Sequence, residues 1–262
     1  MQDRETVTLP RNIRLLCLLI FLIPTLLACA AIAQTKPENP YYARVNTFGI
    51  FTAYSNDSSH ILLGEVENRK LLDIGLSYNR RILVGRIVNW QYSGEILPVA
   101  LESDPTSTET IQYTEPKAYT LTYPEGATMI SCVPTTTTYN FVEPNGTPVS
   151  YTTTDVCTGR RWTIGEAISP VGMQWNFLPR HTLQPFFTGH GGYMYSTQPI
   201  PINIAGSFNF TFDLGAGIEL YRSKTRSIRA EYRYHHISNH ETAGENPGID
   251  NGLFQITYAF GR

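Results

Sequence analysis

From Phe208 the chain alternates with a period of two, Phe208, Phe210, Phe212, Leu214, Ala216, Ile218 and Leu220 being set against Asn209, Thr211, Asp213, Gly215, Gly217 and Glu219. Side chains two apart share a face of an extended strand, so the run predicts a strand with one apolar and one mostly polar or small face. Leu72, Ile74, Leu76 and Tyr78 alternate in the same way with Asp73, Gly75, Ser77 and Asn79, as do Phe254, Ile256, Tyr258 and Phe260 with their neighbours. Eight strands are predicted, at 43–54, 70–79, 82–101, 162–177, 183–195, 207–221, 227–238 and 250–260. Pro98 and Pro170 predict bulged or frayed ends in the third and fourth. The links alternate too: short turns at 79–82, 178–182 and 222–226, and longer links at 55–69, 102–161, 196–206 and 239–249.

The seventh strand divides most sharply. Arg229, Glu231, Arg233 and His235 share one face, and Tyr232, Tyr234, His236 and Ser238 the other. A charged face backed by an aromatic one suits a barrel with a polar lumen and lipid outside. The expected fold is therefore all-β, an eight-stranded antiparallel transmembrane β-barrel. Arg229 and Arg233 are expected to join Glu231 and Asp213 in an ion-pair network in the lumen. Tyr 16 and Phe 12 in the composition agree with the aromatic girdles of such barrels. After the N-terminal segment no stretch approaches the roughly 18 to 20 apolar residues of a spanning helix. Short periplasmic turns and long external loops put the end of the seventh strand outside.

Residues 1–33 read as a signal peptide: Arg4, Arg11 and Arg14, an apolar run from Leu15 to Leu27, and Ala31-Ile32-Ala33 before Gln34. Leu26-Leu27-Ala28-Cys29 also resembles a lipobox, leaving lipidation at Cys29 as the competing expectation. Residues 34–262 are expected to form one outer-membrane barrel domain, a length that suits a single β unit. Cleavage leaves Cys132 and Cys157 as an even pair, expected as a disulfide in an oxidising compartment. They lie in the long external link 102–161, rich in Thr, Ser and Pro, which is expected to be a cap with a small hairpin or a loop stapled once. A net charge of −2 argues against a general nucleic-acid binder.

The strand reading brings chemistry together at the external end. His236 and Ser238, two apart, lie about 6.6 Å apart on the lipid-facing side, close enough for the imidazole to lean toward the hydroxyl. Asp250 opens the eighth strand with the parity of Phe254 and Ile256, on that same face. Serine, base and orienting acid are what nucleophilic ester cleavage requires. Each is also an ordinary strand-end residue, and Asp250 can simply follow the Pro247-Gly248 turn.

The run His236-x-Ser238-Asn239, six residues, then Asn246-Pro247-Gly248-x-Asp250 resembles the signature of the PagL family of lipid A deacylases. The resemblance implies an eight-stranded outer-membrane barrel that hydrolyses the ester-linked acyl chain at the 3 position of lipid A. It implies Ser238 as nucleophile, His236 as base, Asp250 as acid, and Asn239 and Asn246 as positioning or oxyanion groups. The family's pattern carries Glu where this chain has Asp250, so Glu241 and Glu245 in the adjoining link are alternative acids. Lipopolysaccharide in the outer membrane is the implied partner, with no cofactor, no metal and no nucleic acid, and a homodimer is left open. Two rival readings stand beside it. One is a non-catalytic outer-membrane barrel with a structural or adhesive role through its long external link. The other is a secreted soluble barrel with an apolar interior that holds a lipid.

Overall fold

The computed structural model describes residues 42–262, all antiparallel β-structure and connecting segments. The expected signal peptide, Cys17 and Cys29 lie outside the described residues. Ten strands form: β1 (Asn46–Ser55), β2 (Lys70–Val84), β3 (Val88–Glu115), β4 (Tyr119–Gly126), β5 (Thr135–Val142), β6 (Pro148–Phe177), β7 (Leu183–Ser196), β8 (Phe208–Ser223), β9 (Arg226–Ser238) and β10 (Ile249–Gly261). Eight of them close a ring in the order β1-β2-β3-β6-β7-β8-β9-β10, with β10 paired back onto β1 from Thr47↔Gly261 to Tyr54↔Phe254. Closure gives every strand of the wall two neighbours, which is what a sheet in lipid needs, because water is absent there to satisfy an open edge.

The predicted alternation sets inside from outside. Arg229, Glu231 and Arg233 are buried in the lumen, whereas Leu214 and Tyr232 leave 63 % and 61 % of their surface exposed on the outer wall. Ile50, Leu76, Phe187, Ile218, Phe254 and Ile256 extend this apolar outer surface around the ring. A continuous exposed apolar belt of this kind belongs against lipid.

The lumen is filled by ion pairs. Arg233 binds Glu95 through both terminal nitrogens (2.8 and 2.7 Å), Glu231 at 3.0 Å and, more distantly, Asp213 at 3.6 Å. His190 links Asp213 (2.9 Å) to Ser93 (2.8 Å). Toward the periplasmic end Glu219 takes Arg44 (2.6 Å) and Arg229 (3.2 Å). The expected Glu231 and Asp213 partners are thus found for Arg233, while Arg229 instead pairs with Glu219 and donates to Asn79 (2.9 Å). The cavity beside Asp73, Glu95 and Arg233 has a volume of about 20 Å³, room for a water and not for an acyl chain. This interior overturns the lipid-holding soluble barrel, which needs the opposite polarity.

Two elements differ from expectation. The first short turn lies at 85–87, not 79–82, because β2 continues to Val84. Asn79 and Arg80 resemble a turn in the sequence, yet the Asn79 amide is satisfied inside the lumen by Ser93 and Gln174 (2.9 and 3.1 Å). The second difference is larger: residues 102–161 are mostly strand. β3 pairs with β2 up to Ser103, and β6 with β7 from Gly165 onward. Beyond those points β3 and β6 run on together to Glu115↔Ser150, now flanked by β4 and β5. The result is a four-stranded external arm, β4-β3-β6-β5, growing directly from the barrel wall. Cys132, in the β4–β5 link, is disulfide-bonded to Cys157 on β6. Threonine on both faces of β5 hid the period of two, since all eight of its residues are exposed.

Arg233 stands against three lumen carboxylates. Arg233→Ala leaves Glu95 and Glu231 buried without their counter-charge, and should cost about 3–5 kcal/mol. Urea unfolding of the barrel reconstituted in lipid checks this, by a lowered midpoint at unchanged slope.

Candidate active site

The site is built where β8, β9 and β10 reach the external end. Antiparallel pairing sets Asp250 directly opposite His236, which in turn lies opposite Phe212 on β8. All three have outer-wall parity. His236 Nδ1 is 2.6 Å from Asp250 Oδ1, and the imidazole packs on Phe212 with ring centroids 5.3 Å apart. With Nδ1–H directed at the carboxylate, Nε2 carries the lone pair, the tautomer a general base needs. Nε2 makes no hydrogen bond among the described residues.

Side-chain and backbone donors hold Asp250 through both oxygens. Oδ1 accepts from His236 and from the Tyr234 hydroxyl (2.8 Å), and Oδ2 accepts from the backbone amides of Leu62 and Leu63 (2.7 and 2.8 Å). A carboxylate with both oxygens so engaged is fixed in position. It is also fully buried. The β1–β2 link, residues 56–69, folds down onto the aspartate. Glu65 N–H donates to Pro247 O (2.7 Å), and Ser59 N–H to Asp250 O (3.2 Å). Gly64 permits this approach: a Cβ there would stand 2.4 Å from the Asp250 nitrogen. Gly248, at φ +61°, does the same for the base, since a Cβ would lie 3.1 Å from His236 Cε1.

Glu241 and Glu245 are exposed, and neither carboxylate reaches His236; Asp250 is the acid the imidazole meets. The two motif asparagines bind the β9–β10 link to itself. Asn246 Oδ1 accepts from the Asn239 backbone N–H (3.0 Å), and Asn239 Nδ2 donates to Glu245 O (2.6 Å). His240 and Glu241, at φ 51° and 61°, turn this link back over the site. Asn246 Nδ2 makes no hydrogen bond among the described residues, so of the two it retains an uncommitted amide group.

Ser238 shares the outer face with His236 and is partly exposed. The structure does not join them by a hydrogen bond: among the described residues the Ser238 hydroxyl has no partner. The arrangement is an oriented base with an unengaged serine two residues along the same strand.

Tyr234, the amides of Leu62 and Leu63, and Gly64 are parts of the site that sequence reasoning missed. Tyr234 had a signal, since it shares the parity of His236 one step below. The loop residues had none, because their contacts span almost 190 positions.

A second serine–histidine–aspartate chain lies in the lumen, Ser93–His190–Asp213. It abuts Arg233 and Glu95, and the adjacent cavity of about 20 Å³ has no room for an ester. Glu95, His190 and Asp213 also gather metal-type ligand atoms, but the Arg233 guanidinium already stands against both carboxylates. Glu109, Glu125 and Asp155 form a similar acidic group on the arm, away from the site.

The family model described as Lipid A 3-O-deacylase (PagL) matches residues 134–259, from β5 to β10. Similar solved structures include the outer membrane enzyme PagL, at 11% identity, TM-score 0.45, covering 82% of this chain and 99% of that one. Neisserial surface protein A follows at 8% identity, TM-score 0.42, with 83% and 97% covered. OprG from Pseudomonas aeruginosa aligns at 10% identity, TM-score 0.36, with 85% and 99% covered. A search of curated proteins finds no match. The closed antiparallel ring, its apolar belt and the family match together make this chain an outer-membrane β-barrel that, over residues 134–259, matches the PagL family of lipid A 3-O-deacylases.

Proposed function

We propose that this barrel is a serine esterase of the outer leaflet that removes the ester-linked acyl chain at the 3-O position of lipid A. The observation that carries the reading is the His236–Asp250 pair on the outer face at the external rim, two residues along β9 from Ser238. An ionisable His–Asp pair on the outer wall of a membrane barrel is rare and marks a functional site.

In the proposed reaction a rotation of the Ser238 side chain brings Oγ to His236 Nε2. Oγ attacks the acyl carbonyl as Nε2 takes its proton, and the imidazolium that forms faces the Asp250 carboxylate. Collapse returns that proton to the sugar oxygen, leaving the acyl group on Ser238. Water, activated by the same nitrogen, then releases the fatty acid. Asn246 Nδ2 is the side-chain donor proposed for the carbonyl oxygen as it becomes negative. The phospholipid-like surroundings of the acyl chain are supplied by the apolar belt itself.

Ser238→Ala should abolish deacylation, a loss on the order of 10³-fold or more. Ser93→Ala, which removes the serine of the lumen chain, should leave the activity in place. Mass spectrometry of lipid A from cells holding equal amounts of each protein in the outer membrane reads both. Loss of one ester-linked acyl chain with wild type and Ser93→Ala only is the expected result. Acyl loss that persists with Ser238→Ala, or disappears with Ser93→Ala in a folded barrel, would overturn it.

Gly64→Ala tests the acid's support. The added methyl forces the β1–β2 link off Asp250, so kcat should fall while the urea midpoint of the barrel stays near that of wild type. Asp250→Asn should cost on the order of 10³- to 10⁴-fold in kcat, because the amide no longer selects the reactive imidazole tautomer.

A further inference from the structure

We infer that Leu62 and Leu63 form a lipid-held clamp: their side chains rest in the hydrocarbon of the outer leaflet while their backbone amides hold Asp250, so that contact with the bilayer keeps the acid in place. The inference rests on the esterase reading above, which supplies the reason for holding the acid.

Asp250 poses the problem. Its parity on β10 directs the side chain outward, in one column with Phe260, Tyr258, Ile256 and Phe254, yet it is buried where they are exposed. Donors to an outward carboxylate must stand outside the wall, and the Leu62 and Leu63 N–H groups do, at 2.7 and 2.8 Å from Oδ2. The β1–β2 link takes the place of β1 beside the start of β10, with Ser58 bridged to Asn251 and the Val66 N–H donating to Gly248 O (3.4 Å). Between those two points residues 61–63 pass over the outer side of Asp250.

The side chains of the link divide accordingly. Val66 turns inward and is buried with Ile237 and Ile249. Asp57, His60, Glu65 and Asn68 are polar and exposed. Ile61, Leu62 and Leu63 are three consecutive large apolar residues that leave 46, 74 and 59 % of their surface exposed, and none of them belongs to the core. Their surroundings are the outer leaflet because they continue the apolar belt. Below Asp250 the column on β10 holds Phe254, with Tyr54 of β1 directly beside it, and the Tyr232 side chain lies over Gly252. Leu62 and Leu63 carry that surface across the position of the carboxylate. On the far side of the site Phe210, also exposed, stands opposite Ser238.

Both roles fall on the same two residues, so one movement serves both. If 61–63 lift off the wall, both amides leave Oδ2, and the carboxylate keeps only the Tyr234 hydroxyl and His236 at Oδ1. It is then free to turn, and the imidazole loses its fixed orientation. Lifting also takes apolar side chains from hydrocarbon into water, which the hydrophobic effect opposes. The bilayer thus holds the clamp shut.

The test uses the full chain in phosphatidylcholine vesicles. With lipid brominated on its acyl chains, the added tryptophan of Leu63→Trp should be quenched beyond the wild-type background, and iodide in the water should leave it bright. L62N/L63N keeps both amides but makes the side chains polar. In barrels that resist detergent unfolding as wild type does, it should speed hydrogen exchange at 61–64. It should also lower kcat on lipid A by on the order of 10²-fold, the scale of an active-site displacement of ~1 Å. L62M/L63M, apolar again, should rescue both. Exchange is read without any reaction, so the expected exchange pattern in a barrel that deacylates nothing would sink the esterase reading and support the clamp. Quenching by iodide with none by brominated lipid, unchanged exchange in L62N/L63N, or failure of L62M/L63M to recover protection would each overturn the proposal.

Discussion

In hydrocarbon, a backbone amide or carbonyl without a partner has no water to turn to, and everything in this molecule follows from that constraint. It forces the wall strands to close on themselves, β10 returning to β1. Closure with alternating side chains then separates the protein into a charged interior and an apolar exterior. The interior resolves its own cost by pairing: Arg233 with Glu95 and Glu231, and Arg44 and Arg229 with Glu219. A polar group left on the outer wall has no such company, so the bonded cluster at the rim stands apart from its surroundings.

That cluster depends on register. The β9–β10 pairing puts Asp250 across from His236, and a shift of a single residue would send one of them into the lumen. Closure also brings β1 beside β10, which lets the β1–β2 link reach across and bind Asp250 through Leu62 and Leu63. The acid is therefore positioned by the last strand and by the first loop together. The aspartate is met by a loop that descends to it through Gly64.

Legibility in the sequence tracked the contrast between faces. The wall strands from Phe208 to Leu220 and from Phe254 to Phe260 were plain because lipid and lumen demand opposite side chains. The arm was opaque because β5 is exposed on both faces: Thr135 to Thr138 belong to a link expected as a cap with a small hairpin or a loop stapled once, yet form an edge strand of a four-stranded sheet. Asn79 and Arg80 were misread as a turn because a buried lumen amide and a solvated turn amide look alike in sequence. At the site, parity placed His236, Ser238 and Asp250 on one face. The donors from Leu62 and Leu63 had no sequence signal, since a backbone amide carries no residue identity. The absence of a hydrogen bond between Ser238 and His236 was likewise beyond parity, which ranks faces and says nothing of rotamers.

The claim on which the account stands is that Ser238 is a nucleophile activated by the His236–Asp250 pair. Reaction of the purified barrel in micelles with a long-chain alkyl phosphonofluoridate, followed by intact-mass measurement and peptide mapping, tests it without reference to any particular lipid. The account predicts one adduct per chain, on Ser238, formed far more slowly in His236→Ala. An adduct on Ser93 or elsewhere, or labelling of Ser238 at the same rate without His236, would contradict it.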